Sequence, residues 1–227
     1  WEGKGNVNIA GGTAKNGITV KGFKKVQVGG TVTGILDKRE AKPAEKQELS
    51  TDALTITAPL IEVIKDNMQK VAFFKANTES FTLHSDLTVG RLGVQSTYIN
   101  ILPKENGLLP LITTTRRMGS GAFPLKPDEP SLVLEGELRL QHSQLMGGGP
   151  IFLKDHASTP FLFPESWTSL ESVSIETKGP IRIEKDLKVS FPVTLASEQE
   201  IVVGKEGTLV DLWALQLFLS GKSLNFQ

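Results

Sequence analysis

The stretch from Gly179 to Val193 constrains the fold more than any other part of the chain. Three short alternations of apolar and polar residues follow one another in it: Ile181-Arg182-Ile183, Leu187-Lys188-Val189 and Phe191-Pro192-Val193. Alternation with a period of two is the pattern of a half-buried β-strand, because successive side chains of a strand point to opposite faces. The polar pair Lys185-Asp186 between the first two alternations suits a corner. The stretch therefore predicts three very short strands joined by tight connections.

The rest of the chain repeats this pattern. It contains 22 glycines and 12 prolines, and its apolar residues are mostly leucine, isoleucine and valine. Such a composition favours many strands and tight turns over helices. We therefore predict an all-β fold with many short strands. A parallel β-solenoid, or β-helix, is preferred over a β-sandwich.

Two recurring motifs favour the solenoid. Pro59, Pro150 and Pro180 each precede a short apolar run that ends in a Lys-Asp pair. Separately, Asp86-Leu87-Thr88-Val89 recurs as Asp186-Leu187-Lys188-Val189. Stacked coils make corner residues recur, because each coil turns directly above the turn of its neighbour. The alternative is that such motifs arise independently in any chain rich in β-strands.

Residues 103–130 interrupt the pattern. They contain five prolines, at positions 103, 110, 124, 127 and 130, and we predict a long irregular segment there. The chain of 227 residues is predicted to form one all-β domain, 1–227. The alternative is two smaller β modules, 1–115 and 131–227, joined by the proline-rich segment. Near the end, residues 209–219 are dense in apolar side chains and predict a final buried strand or a capping helix.

Charge and cysteine content exclude several classes of protein. The 25 basic residues balance the 25 acidic ones, so no overall field attracts nucleic acid, and we predict no nucleic-acid partner. The chain has no cysteine, which excludes disulfides, cysteine zinc sites and thiol chemistry. No apolar run approaches the roughly 20 residues that a membrane helix needs, so we predict no membrane span in this chain.

Motifs that carry catalytic or metal chemistry are few. The histidines at positions 84, 142 and 156 show no spacing typical of metal ligands. Asp155-His156 is the nearest approach to a catalytic pair, but adjacent residues of a strand point to opposite faces. Gly119-Ser120-Gly121 is not a nucleophile elbow. We therefore predict no catalytic residue, no metal and no cofactor, and we expect that the protein is not an enzyme.

One local patch is a candidate binding site. Thr113 and Thr115 stand next to Arg116 and Arg117, and hydroxyls beside two guanidinium groups can hold a carboxylate, a phosphate or a protein partner. The alternative is an ordinary solvated loop without a ligand.

The function that these observations favour is structural. We expect a non-catalytic structural or adhesive module of an extracellular appendage, a cell-surface assembly or a virus particle. Its partners would be other proteins of the assembly or a surface glycan. Ends that look cut, at Trp1 and Gln227, fit a part of a larger component. We leave the oligomeric state open.

Two other functions stay open. One is a carbohydrate-active enzyme, a glycan lyase or hydrolase, on a β-helix scaffold. The other is a carrier of a lipid or small ligand with an apolar groove. A pair of carboxylates in a cleft would favour the enzyme. A continuous apolar cavity would favour the carrier, and a large exposed apolar patch would favour assembly.

Overall fold

The computed structural model of the protein describes residues 1–14, 16–29, 48–115, 129–205 and 209–227. Within these ranges every regular element is a β-strand and the pairings between strands are parallel. The strands form a parallel β-solenoid of about eight turns, which confirms the predicted fold class. No helix in the described ranges is long and apolar enough to cross a membrane.

The strands, in chain order, are β1 (Asn6–Ile9), β2 (Gly12–Ala14), β3 (Ile18–Lys21), β4 (Lys25–Val28), β5 (Leu49–Thr57), β6 (Leu60–Val63), β7 (Lys70–Leu83), β8 (Leu87–Val89), β9 (Arg91–Ile101), β10 (Leu111–Thr114), β11 (Leu132–Arg139), β12 (Gln144–Gly147), β13 (Ile151–Asp155), β14 (Ser166–Ser169), β15 (Val173–Thr177), β16 (Ile181–Ile183), β17 (Leu187–Lys188), β18 (Pro192–Ser197), β19 (Glu200–Val203), β20 (Leu212–Trp213), β21 (Gln216–Ser220) and β22 (Ser223–Phe226).

Each coil runs along three sides of the solenoid in turn. Side A contains β2, β3, β5, β13, β15, β18 and β21, and side B contains β1, β4, β6, β16, β19 and β22. The long strands β7, β9 and β11 turn the corner between these sides: β7 pairs with β5 through its first half and with β6 through its second half. Side C contains β8, β10, β12, β14, β17 and β20. The stretch that begins at Gly179 forms β16, β17 and the start of β18, so the three short strands predicted there are confirmed.

The core is a set of apolar ladders, because the pairing places like residues directly above one another. One ladder on side A consists of Ile18, Leu54, Phe74, Leu92, Leu132, Ile151, Val173, Val193 and Leu217. All of these are buried except the first and the last, which are half-buried. Full burial of such a side chain is worth about 1.5–3 kcal/mol, so each coil is stabilised by the coils on both sides of it.

The corner between sides A and B is lined by polar residues. Thr78, Ser96, Asp155 and Thr177 occupy equivalent positions there. The hydroxyl of Ser96 donates to the carbonyl oxygen of Tyr98 at 2.8 Å, and that of Thr177 donates to Gly179 at 2.6 Å. These bonds satisfy backbone carbonyls at the point where the strand bends.

The Asp-Leu-x-Val recurrence predicted from the sequence reflects two equivalent corners before side C. Asp86 accepts the N–H of Leu111 at 2.8 Å, and Asp186 accepts the N–H of Asp211 at 3.0 Å. In both cases the carboxylate accepts a backbone N–H of the next coil and so fixes that coil where it enters side C. The proline motif is less uniform. Pro59 and Pro180 precede strands of side B, whereas Pro150 precedes β13 on side A.

Two expectations about irregular and buried segments need correction. Within the proline-rich segment, residues 111–114 form β10 on side C, because Ile112 fits the apolar ladder beside Leu87. Residues 116–128 of that segment lie outside the described residues. Residues 212–213 and 216–220 are strands, but the predicted burial is wrong, since their side chains are half-buried or exposed. The division into one domain or two stays a prediction.

Substitution of Gly136 tests the close packing at the corner between sides A and B. A β-carbon at Gly136 would lie 2.2 Å from the carbonyl oxygen of Ser96, at the place where the register of β9 and β11 shifts. We expect Gly136→Ala to lower the free energy of unfolding by about 1–3 kcal/mol or more, because the backbone of the neighbouring coil must move. Gly93→Ala is the matched control, since its β-carbon would make an ordinary 3.5 Å contact with the ring of Phe73. Equal stability of the two variants in urea unfolding would contradict this packing.

Candidate functional site

The predicted patch of threonines and arginines lies only partly in the described residues. Thr113 is half-buried on β10, and Thr115 is exposed and donates its N–H to the carbonyl oxygen of Val89 at 2.9 Å. The hydroxyl of Thr114, between them, is buried and lies 2.9 Å from that of Ser131. Arg116 and Arg117 lie outside the described residues, so anion binding at this patch stays a prediction.

A small polar pocket of about 200 Å³ lies at the corner between sides A and B. Asp155 is buried in its wall, and one oxygen of its carboxylate accepts the N–H groups of Leu138, at 3.0 Å, and Ala157, at 3.1 Å. Burial raises the pKa of Asp155, although these two hydrogen bonds lower it in part. The carboxylate therefore serves as a hydrogen-bond acceptor for the backbone of β11.

Two charged residues of this pocket, Lys154 and His156, contact the carboxylate of Glu135. Nε2 of His156 lies 3.5 Å from Oε1 of Glu135, and Nζ of Lys154 lies 2.9 Å from the same oxygen. His156 thus faces Glu135 and not Asp155, as expected for adjacent residues near the end of a strand. Within the described ranges, no group of three or more histidine and acidic side chains is arranged to hold a metal ion.

The largest change in exposure along the ladders occurs at the coil formed by β20, β21 and β22. Leu224 and Phe226 pair with Ile201 and Val203, which are buried. Leu224 is nevertheless 45% exposed and Phe226 is 69% exposed, because no described strand stacks on the outer side of β22. We call Leu215, Leu217, Leu219, Leu224 and Phe226 the apolar end surface. Leu217 and Leu219 occupy core positions of side A, and Leu224 and Phe226 occupy core positions of side B. Leu215 lies at the start of side A.

The backbone at this surface is also unpaired. Among the described strands, β21 pairs only with β18 and β22 pairs only with β19, so one edge of each carries free N–H and C=O groups. A free strand edge beside exposed apolar residues is a template for pairing with another strand.

The first coil differs from the apolar end surface. Ile9 and Val20 are 1% and 0% exposed, although they belong to the first rungs of their ladders. Residues 1–3 add a short extended segment to the edge of β3. The N–H of Lys21 donates to the carbonyl oxygen of Trp1 at 2.9 Å, and the N–H of Gly3 donates to that of Lys21 at 3.3 Å. The outer edge of β3 is therefore covered at residues 19–21, whereas β1 on side B pairs only with β4 among the described strands.

The sequence pattern does not reveal the apolar end surface. Alternation in residues 216–226 is that of any half-buried strand, and only the number of coils stacked above it decides its exposure. Together, the fold and this surface define a class, the parallel β-solenoid with an exposed apolar coil. Comparison with known proteins adds no family to this class, since no family model, curated protein or solved structure matches the chain.

The pH dependence of stability tests the environment of Asp155. Because its pKa in the folded protein is raised above the usual value of about 3.9, Asp155 favours folding below that pH, and this contribution is lost as the pH rises through the raised pKa. The free energy of unfolding of the wild-type protein, relative to that of Asp155→Asn, should therefore fall as the pH rises from about 4 to 7.

Asp186→Asn is the control of opposite sign. A hydrogen bond from Lys188 lowers the pKa of Asp186, so its contribution to stability is present above pH 4 and is lost as the pH falls. The measurement is the free energy of unfolding of the three proteins across the pH range. Parallel curves for wild type and Asp155→Asn would show that Asp155 is not held in a desolvated position.

Proposed function

We propose that the protein is a non-catalytic structural or adhesive module that forms part of an extracellular appendage, a cell-surface assembly or a virus particle. The observation that carries the proposal is the apolar end surface, in which core positions of side B lie exposed and those of side A are half-buried, beside strand edges that no described strand pairs with. A large exposed apolar surface of this kind is typical of a protein–protein interface.

The interior of the solenoid supports a structural role over that of a lipid carrier. Within the described residues, the ladders of sides A and B place buried aliphatic and aromatic side chains between the sides. A carrier needs a continuous apolar cavity of several hundred cubic ångströms. A core of stacked apolar ladders, with backbone hydrogen bonds along the axis, resists bending and suits a rigid spacer.

The occupant of the apolar end surface is another β-coil, which in this proposal is the first coil of a second copy. A parallel ladder can be continued only by strands that run in the same direction, and stacking copies head to tail along the axis preserves that direction. The outer edge of β1 has no strand partner among the described residues and can receive β22. Because the two contacting surfaces differ, the contact does not close, and it generates open-ended filaments.

The proposal predicts self-association that depends on concentration. Sedimentation velocity should show a series of species that grows beyond the dimer as the protein concentration rises. The double substitution Leu224→Asp and Phe226→Asp should leave a folded monomer. Stacking of a second copy would bury each new carboxylate without a partner, which costs free energy and prevents association.

Leu170→Asp is the matched control. Leu170 is 83% exposed but lies beyond the end of β14 on the lateral surface, so this substitution should leave association unchanged. A wild-type protein that stays monomeric at every concentration would contradict the proposal. Association that stops at the dimer would contradict head-to-tail stacking.

A further inference from the structure

Side C of the solenoid is interrupted between β14 and β17. The strands β8, β10, β12 and β14 form one sheet, whereas β17 pairs with β20 and not with β14. A groove of about 710 Å³ lies beside this interruption. Its walls are residues 160–165, which precede β14, and residues 182–187, which lead from β16 into β17. The volume falls within the range of about 300–1,000 Å³ that small-molecule sites occupy.

Aromatic rings form the inner part of the groove. Trp167 continues the ladder of Leu87, Ile112 and Leu145 on side C, but it is only half-buried because no strand of the next coil pairs with β14. Its ring lies 5.8 Å from that of Phe163 and 6.0 Å from that of the buried Phe191. These contacts hold the indole in place before any ligand binds, which lowers the entropic cost of binding.

The rim of the groove is polar and carries charges of both signs. It consists of Gln141, Glu165, Arg182, Glu184, Lys185 and Asp186. Arg182 lies 3.7 Å from Glu200, and Asp186 pairs with Lys188 at 2.8 Å. Within the part of the chain that the structure describes, the side chains of Gln141, Glu165, Glu184 and Lys185 have no hydrogen bond or ion pair.

The aromatic rings and the rim of mixed charge favour some classes of ligand over others. Three carboxylates on the rim oppose an anion, and a guanidinium with an ammonium group opposes a cation. A fatty chain would leave the rim groups desolvated without partners. A pyranose ring presents an apolar C–H face to an aromatic ring and hydroxyls that both donate and accept hydrogen bonds. Carboxylates, ammonium, guanidinium and amide groups supply the complementary acceptors and donors.

We propose that this groove binds a neutral oligosaccharide, with the sugar against Trp167 and Phe163 and its hydroxyls bonded to the rim. The inference does not rest on stacking at the apolar end surface, from which the groove is separate. It would give the module an adhesive role through a lateral site for glycan. A cluster of such modules along one filament would bind a glycan surface with avidity.

The experiment uses an array of immobilised neutral, acidic and basic oligosaccharides, followed by titration with the neutral oligosaccharide that binds best. The chain has three tryptophans, so replacing Trp1 and Trp213 by phenylalanine leaves Trp167 as the fluorescent reporter. We expect a saturable change in the emission of Trp167. We also expect Glu184→Ala, on the exposed rim, to weaken binding about tenfold, as loss of a hydrogen bond to a charged group does.

Trp167→Ala should abolish binding, but it also removes a ring from the core, so Glu184→Ala carries the test if that variant fails to fold. Glu198→Ala is the matched control, because Glu198 is exposed and lies away from the groove. Absence of binding to every neutral oligosaccharide, binding only to acidic or basic ones, or equal affinity of the Glu184→Ala and wild-type proteins would overturn the inference. Cleavage of the bound oligosaccharide would support the site but contradict the non-catalytic function proposed above.

Discussion

Direct stacking of apolar side chains from one coil onto the next is the interaction on which the whole structure depends. Leu153, for example, lies between Leu134 and Ile175 in the ladder and is fully buried by them. No strand of three to five residues is stable alone, and each gains its burial only from neighbours in register. Stability is therefore a property of the stack. The same dependence explains why Leu224 and Phe226 are exposed: they occupy core positions, but no described strand stacks on the outer side of β22.

The sequence predicts the local part of this arrangement well. Alternation at Ile181-Arg182-Ile183 indicates a strand and its inward face, and both residues expected inside are buried. The corner motif at Asp86 and Asp186 is visible because the same carboxylate-to-backbone bond is needed twice. The register between strands of neighbouring coils cannot be predicted from the local sequence, because it depends on which coil stacks on which. For this reason the exposure of Phe226 and the half-burial of Trp167 cannot be predicted from their own neighbours along the chain.

The candidate sites occur where the stacking is broken. No described strand continues the ladder beyond β22, whose outer edge and apolar residues are exposed. On side C, β17 of the next coil does not pair with β14, and an aromatic groove with a polar rim lies beside this interruption. At the end of β13, at the corner from side A to side B, the carboxylate of Asp155 accepts the N–H of Leu138. Irregularities in an otherwise regular scaffold thus supply the surfaces on which a partner or ligand can act.

Disulfide trapping tests the in-register stack most directly, because the chain has no cysteine of its own. Ser174 and Thr194 are paired residues of adjacent coils, and paired positions of neighbouring strands lie about 4.8 Å apart, within reach of a disulfide. Ser174→Cys with Thr194→Cys should therefore oxidise readily within the folded monomer. Ser174→Cys with Ala196→Cys, displaced by two residues to about 8 Å, should not. Equal oxidation of the two pairs, or faster oxidation of the displaced pair, would contradict the solenoid register.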